Sequence, residues 1–214
     1  MDKFSCKNCG ACCTKFSVIG ALPFFEWEVE GIIEEAKILG VSLDIRPINL
    51  MFDEISGIYF FPQYGMFNEP CPFHVPGKCL IHSKRPYVCR MFPLIKTPSI
   101  DGTEVDFGWF SYCPNFDMPK LVEETNYEKL NQKILNKKFQ ESFGECNEVC
   151  FKATNVRNKL DFIVRELIDK GKIRLRGLNE NEEIKNPLPI IDFLVKIKAI
   201  SLEEKSKIIE DFKK

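Results

Sequence analysis

Four cysteines stand within eight residues near the front of the chain. The stretch C-K-N-C-G-A-C-C places Cys6, Cys9, Cys12 and Cys13 in a C-x2-C-x2-C-C array. A two-residue gap lets a tight turn aim two sulfurs at one metal centre. Gly10 supplies the backbone freedom for such a turn, and the small Ala11 keeps the approach open. Three cysteines at successive two-residue gaps match the opening of the bacterial ferredoxin run C-x2-C-x2-C-x3-C-P, whose last cysteine precedes proline. Here Cys71 precedes Pro72 and Cys113 precedes Pro114, so a distant Cys-Pro could complete such a site. Cys12 and Cys13 are expected in non-helical backbone, with their sulfurs turned toward different metal atoms or different sites.

Cys71, Cys79, Cys89 and Cys113 bring the candidate metal ligands to eight. Eight thiolates suffice for two four-sulfur sites, or for one cluster with spare thiols. One partition puts Cys6, Cys9, Cys12 and Cys113 on one site and Cys13, Cys71, Cys79 and Cys89 on the other, although spacing does not determine connectivity. Structural zinc often shows two C-x2–4-C knuckles, and the downstream cysteines here are widely separated singles. Iron–sulfur clusters accept scattered thiolates. Phe73, Phe92 and Phe116 lie within a few residues of candidate ligands and would limit solvent there. An iron–sulfur cluster of the 4Fe–4S type is therefore the preferred cofactor, with zinc the alternative. Lys84, Arg85 and Arg90 stand close to Cys89 in sequence; Arg85 and Arg90 are the candidate cofactor-binding cations, offsetting thiolate charge or holding an anionic group. His74 and His82, the only histidines, fall in the same region as ligands, proton donors or structural groups. Cys146 and Cys150, four residues apart, share a face if that stretch is helical. They are left out of the metal set because free cysteine is most often a small buried hydrophobe.

The elements that must hold these groups follow from a chain of 214 residues with 30 basic and 31 acidic side chains. A net charge of −1 gives no general electrostatic case for nucleic acid, whose affinity comes mainly from phosphate neutralisation. No run of about 18 apolar residues is present, so no span of a membrane is expected. The first residues lack the apolar core of a secretion signal. The expected location is cytoplasmic, where thiols stay reduced and clustered cysteines read as ligands rather than disulfides. Residues 1–119 hold eight cysteines, eleven of thirteen prolines and nine of twelve glycines, a composition incompatible with mostly regular helix. The expected fold is α+β: a small cysteine-rich, metal-centred module at 1–119 and a helical region at 120–214 packed on it. Within the module we expect one helix over 25–39 ended by Gly40, strands at 43–52 and 57–62 around Asp53–Gly57, and a second hairpin over 93–112 turning at Asp101 and Gly102. The segment 65–92 between them is expected to be loop. Helices are expected at 121–143, at 155–170 with Asn155 as N-cap and Gly171 as terminator, and at 187–212. Ser201 and Glu204 form a capping box that splits the last stretch in two.

The motif order resembles a known family. The CxxCxxCC array, the CPF at Cys71–Phe73, the run C-L-I-H-S-K-R-P-Y-V-C-R-M-F-P from Cys79 to Pro93 and the Cys-Pro at Cys113 are similar to the cysteine-cluster proteins described as zinc- or iron-chelating. The resemblance covers about residues 4–114. That family includes flagellin lysine N-methylases, which implies S-adenosylmethionine as a cofactor and a protein lysine as substrate, with a protein substrate or partner for this chain. Neither a radical C-x3-C-x2-C signature nor a G-x-G-x-x-G loop is present, and no residue pattern singles out a catalytic group. Methyl transfer would require a desolvated, neutral lysine amine, with Tyr87, Tyr112 and Asp106 the nearest groups to consider. The remaining function classes are a zinc-stabilised interaction module and an iron–sulfur electron-transfer or redox-sensing protein. Nothing in the sequence sets an oligomeric state.

Overall fold

A computed structural model describes residues 4–14, 20–96, 108–115, 132–179 and 182–213. The fold is α+β, as the composition predicts. Contacts gather the chain into two compact units, Met1–Gly20 with Asn68–Thr154, and Ala21–Phe67 with Asn155–Lys214. The compositional boundary at Pro119 lies outside the described residues, and each unit draws chain from both sides of it.

In the unit formed by 21–67 and 155–214, residues 45–66 make an antiparallel ribbon that changes sheet part-way. Ile45–Ile48 pairs with Gln63–Met66, and Met51–Asp53 pairs with Ile58–Phe61. The single strand expected over 43–52 is interrupted at Asn49, whose φ of 55° is left-handed. Its partner is interrupted at Pro62, which has no N–H for a ladder. The chain at 63–66, whose last two residues fall in the expected loop, is instead a central strand, with Leu22–Phe24 antiparallel on its other side. Two short strands from the later chain complete the second sheet: Leu175–Arg176 runs antiparallel to Met51–Asp53, and Leu188–Pro189 runs parallel to Ile58–Phe61.

The helix Glu26–Leu39 forms where its apolar spacing predicts. It buries Ile32 and Ala36 and ends at Gly40, whose φ of 66° takes the left-handed terminating position. Phe60 stacks on Phe193 at 4.0 Å, and both rings are fully buried beside Phe24, Phe61, Ile191 and Leu194. Phe25 meets Phe212 edge-on at 5.1 Å. The last stretch is two helices, Ile190–Lys196 and Leu202–Lys213. The capping box between them is formed: the Glu204 N–H donates to Ser201 Oγ at 3.1 Å, and the Ser201 N–H donates to Glu204 Oε2 at 2.7 Å.

In the unit formed by 1–20 and 68–154, helix Gln132–Phe143 is followed after Gly144 (φ 47°) by helix Glu145–Asp169, which runs on past Thr154. Only 132–143 of the helix expected at 121–143 lies within the described residues. Asn155 is not an N-cap. The helix begins ten residues earlier, because Val149, Cys150, Ala153, Val156 and Leu160 form one buried stripe through it. Gly171, at φ 64°, follows its end as expected. Leu94–Lys96 pairs with Gly108–Trp109; the turn expected at Asp101 and Gly102 lies outside the described residues. The segment 68–92, expected to be loop, carries a hairpin of His74–Val75 with Lys78–Cys79, a 3-10 turn at His82–Lys84 and a helix at Tyr87–Met91. Tyr87 and Phe139 are its most deeply buried rings. Among the described residues, no helix is long and apolar enough to cross a membrane.

Candidate metal centre

All ten cysteines belong to the unit formed by 1–20 and 68–154, and all are free thiols. Cys6 and Cys9 are exposed on a segment bent sharply by left-handed residues at Asn8 (φ 54°) and Gly10 (φ 78°). The chain then closes one helical turn, Ala11–Thr14, tied by the Cys13 N–H to Gly10 O at 2.9 Å and by Thr14 Oγ1 to the same carbonyl at 3.1 Å. The Cys12 and Cys13 sulfurs lie 3.9 Å apart. They do not diverge as expected, because the backbone there is helical rather than extended.

The remaining ligand candidates come from four later points on the chain. Cys71 is buried, and its N–H donates to Cys13 O at 2.8 Å, joining the CPF segment to the N-terminal array. The His74 N–H donates in turn to Cys71 O at 3.0 Å. Cys79 lies opposite His74 in the short hairpin. Cys89 sits on the helix Tyr87–Met91, and Cys113 is buried.

The thiols act on one another electrically. Either sulfur of the Cys12–Cys13 pair can be the donor, and the pair together with Cys71 and burial raises the Cys13 thiol above its ordinary range. Interaction with Cys13 draws Cys12 down to about 7 against its burial, and lowers Cys71 likewise. Burial pushes Cys79 and Cys89 up, and charge on Cys71 and Cys12 adds to both. Burial also raises Cys113, and interaction with the thiols of the N-terminal array adds to the rise. Tyr112 is pushed up to about 12 by burial and by Cys12, Cys113, Cys13 and Cys89.

Arg85 is the cation whose field reaches these sulfurs. Its charge favours the thiolate at Cys12, Cys79, Cys89 and Cys146, and its Nε donates to His82 O at 3.0 Å. Arg90 is half-buried, and its Nε has no hydrogen-bond partner among the described residues. Lys84 and His82 are exposed, Tyr87 belongs to the core, and Asp106 lies outside the described residues. Cys146 and Cys150 share a helix face, as their spacing requires, with Cys150 fully buried.

Among the described residues, no group of three or more His, Cys, Asp or Glu side chains has the geometry to hold a metal ion. The donor set nevertheless suits one chemically. Five stretches of one unit supply the eight thiols, and a thiophilic cation that displaces their protons would stabilise the thiolates that burial disfavours at Cys79, Cys89 and Cys113.

Residues 5–151 match the CxxCxxCC family, described as a "putative zinc- or iron-chelating domain". The chain belongs to this family. The CxxCxxCC match takes in every cysteine of the chain, and chelation of zinc or iron is the function that membership carries. No curated protein and no solved structure matches the chain significantly. One feature of this CxxCxxCC domain goes beyond its cysteines. The His74 ring lies against Gly10 so closely that a methyl group on Gly10 would be 2.2 Å from Nε2. Sequence reasoning weighed His74 only as one of two histidines in a cysteine-rich stretch. The available signal was the glycine inside the array.

Proposed function

We propose that the chain holds an iron–sulfur cluster through thiolates drawn from Cys6, Cys9, Cys12, Cys13, Cys71, Cys79, Cys89 and Cys113. The observation that carries this reading is the junction at Cys13, whose carbonyl receives the Cys71 N–H at 2.8 Å and so ties the CPF segment to the N-terminal array. That junction draws two remote segments into one thiol neighbourhood. Scattered single ligands suit a cluster better than zinc knuckles. Arg85 offsets the negative charge of the thiolates, and Arg90 is the second cation available for an anionic group. When bound, such a cluster supplies electron transfer or a Lewis-acidic iron. Anaerobic purification followed by iron, sulfide and zinc quantification tests the reading. Iron with acid-labile sulfide supports it, and stoichiometric zinc without sulfide overturns it.

The zinc reading has an observation of its own. The 3.9 Å between the Cys12 and Cys13 sulfurs is close to the separation of about 3.8 Å between two thiolates sharing one tetrahedral ion with bonds of about 2.3 Å. A zinc-stabilised interaction module is therefore the alternative, decided by the same metal count.

Resemblance to a family that includes flagellin lysine N-methylases supports a finer activity, S-adenosylmethionine-dependent methylation of a protein lysine. Calorimetric titration with S-adenosylmethionine tests it: saturable binding is expected, and a flat titration removes the activity. Redox service instead predicts a reversible change of the visible spectrum with dithionite. A cytoplasmic location, where thiols remain reduced, agrees with either role.

A further inference from the structure

We infer that His74 is itself a ligand of the centre, its Nε2 giving one metal atom mixed nitrogen and sulfur coordination. The inference rests on the metal-binding reading above and assigns a donor outside the eight cysteines.

His74 Nε2 is shut off from solvent and has no hydrogen-bond partner among the described residues. A buried polar atom left in this state costs about 1–3 kcal/mol, and nearly all such atoms in native proteins are satisfied. The position of the ring says what satisfies it. A methyl group on Gly10 would lie 2.2 Å from Nε2 and 2.5 Å from Cε1, so only glycine leaves room for the imidazole inside the bend between Cys9 and Cys12. The φ of 78° at Gly10 selects glycine a second time.

Three further constraints hold the ring there. The His74 backbone N–H is bonded to Cys71 O, Cys71 N–H is bonded to Cys13 O, and His74 faces Cys79 across the hairpin. His74 is thus tied through the backbone to Cys71 and Cys79, its ring lies on Gly10 between Cys9 and Cys12 in sequence, and its Nε2 has no hydrogen-bond partner among the described residues. Neutral imidazole is a good ligand for both zinc and iron. Replacing one thiolate by imidazole also lowers the negative charge of a four-ligand site by one, which makes the site less costly to bury. His82, exposed on the 3-10 turn, has no comparable placement.

The test is X-ray absorption at the edge of the metal that copurifies with the full chain under anaerobic conditions. A nitrogen or oxygen scatterer at about 2.0 Å beside sulfur at about 2.3 Å is expected for a zinc-loaded centre. That scatterer should disappear in His74→Cys, which exchanges nitrogen for sulfur and should keep the metal, and should persist in His82→Ala. A sulfur-only shell in the wild-type protein, or a light scatterer that survives His74→Cys, overturns the role of His74 while leaving metal binding intact. A protein that retains no metal overturns both. A sulfur-only shell in the wild-type spectrum overturns the inference even if the substituted chain does not fold.

Discussion

Arg174 donates its backbone N–H to the carboxylate of Asp53 at 2.8 Å, across 121 residues of sequence. Asp53 has no exposed surface, and its oxygens also accept from the N–H of Ile55 and from the N–H and hydroxyl of Ser56. Burial opposes its charge most strongly, yet these donors together hold its pKa below the ordinary carboxylate value. One side chain thereby closes the turn between two strands and fastens the later chain to the ribbon.

Removing that carboxylate strands several buried donors. Asp53→Ala should cost about 3 kcal/mol, since hydrogen bonds to charged groups are worth about 1.5–3 kcal/mol each and the losses overlap. Urea unfolding monitored by circular dichroism measures this. A midpoint unchanged from wild type would show that Asp53 is dispensable.

Glu26 sets a pH dependence. Burial pushes its pKa up to about 7 from 4.5; Lys205, 3.2 Å away, opposes the rise and Asp192 adds to it. Tyr64 lies in the same groove. Folding therefore takes up a proton between these two values. The contribution of Glu26 is full below about pH 4.5 and is lost as pH rises through about 7, a change on the order of 3 kcal/mol. Denaturation midpoints from pH 4.5 to 8 should fall along this course in the wild type. Glu26→Gln should flatten it, and an identical slope in both proteins would assign the dependence elsewhere.

Phe193 carries the packing of the ribbon on the helix Ile190–Lys196. Its ring lies 4.0 Å from Phe60, nearly parallel at 3°, with no surface exposed. Phe193→Ala should cost about 3–5 kcal/mol and Phe193→Leu clearly less, because a smaller cavity is left. Equal losses for the two substitutions would mean that the ring, not the filled volume, matters.

The cysteines should separate into two behaviours. Cys71→Ser should sharply reduce the metal retained on anaerobic purification. Cys150→Ser should keep the metal and lose about 1–3 kcal/mol of stability by burying a hydroxyl in a fully enclosed site. Metal content and thermal melts distinguish them, and equal metal loss would bring Cys150 into the ligand set.

Much of this was legible where local chemistry dominates. The helix before Gly40 and the capping box at Ser201 are set by residues within four positions of each other, and both form as read. Asn155 misled because its capping preference is weak beside the apolar stripe that runs from Val149 through Leu160. The divergence expected of Cys12 and Cys13 assumed extended backbone, and the left-handed Gly10 starts a helical turn instead. Strands as short as Leu175–Arg176 and Leu188–Pro189 carry no periodicity to detect. Their pairing is decided by partners more than a hundred residues away. Of the centre, the cysteine array and the family it carries were readable, whereas the nesting of His74 on Gly10 depends on where the hairpin folds back.

The two short strands carry a practical warning for anyone trimming the protein. A fragment stopped at residue 151 would keep every sulfur but strip Met51–Asp53 and Ile58–Phe61 of their outer neighbours. Bare rims of that kind recruit other copies of themselves, so the shortened piece should precipitate more readily than the whole chain.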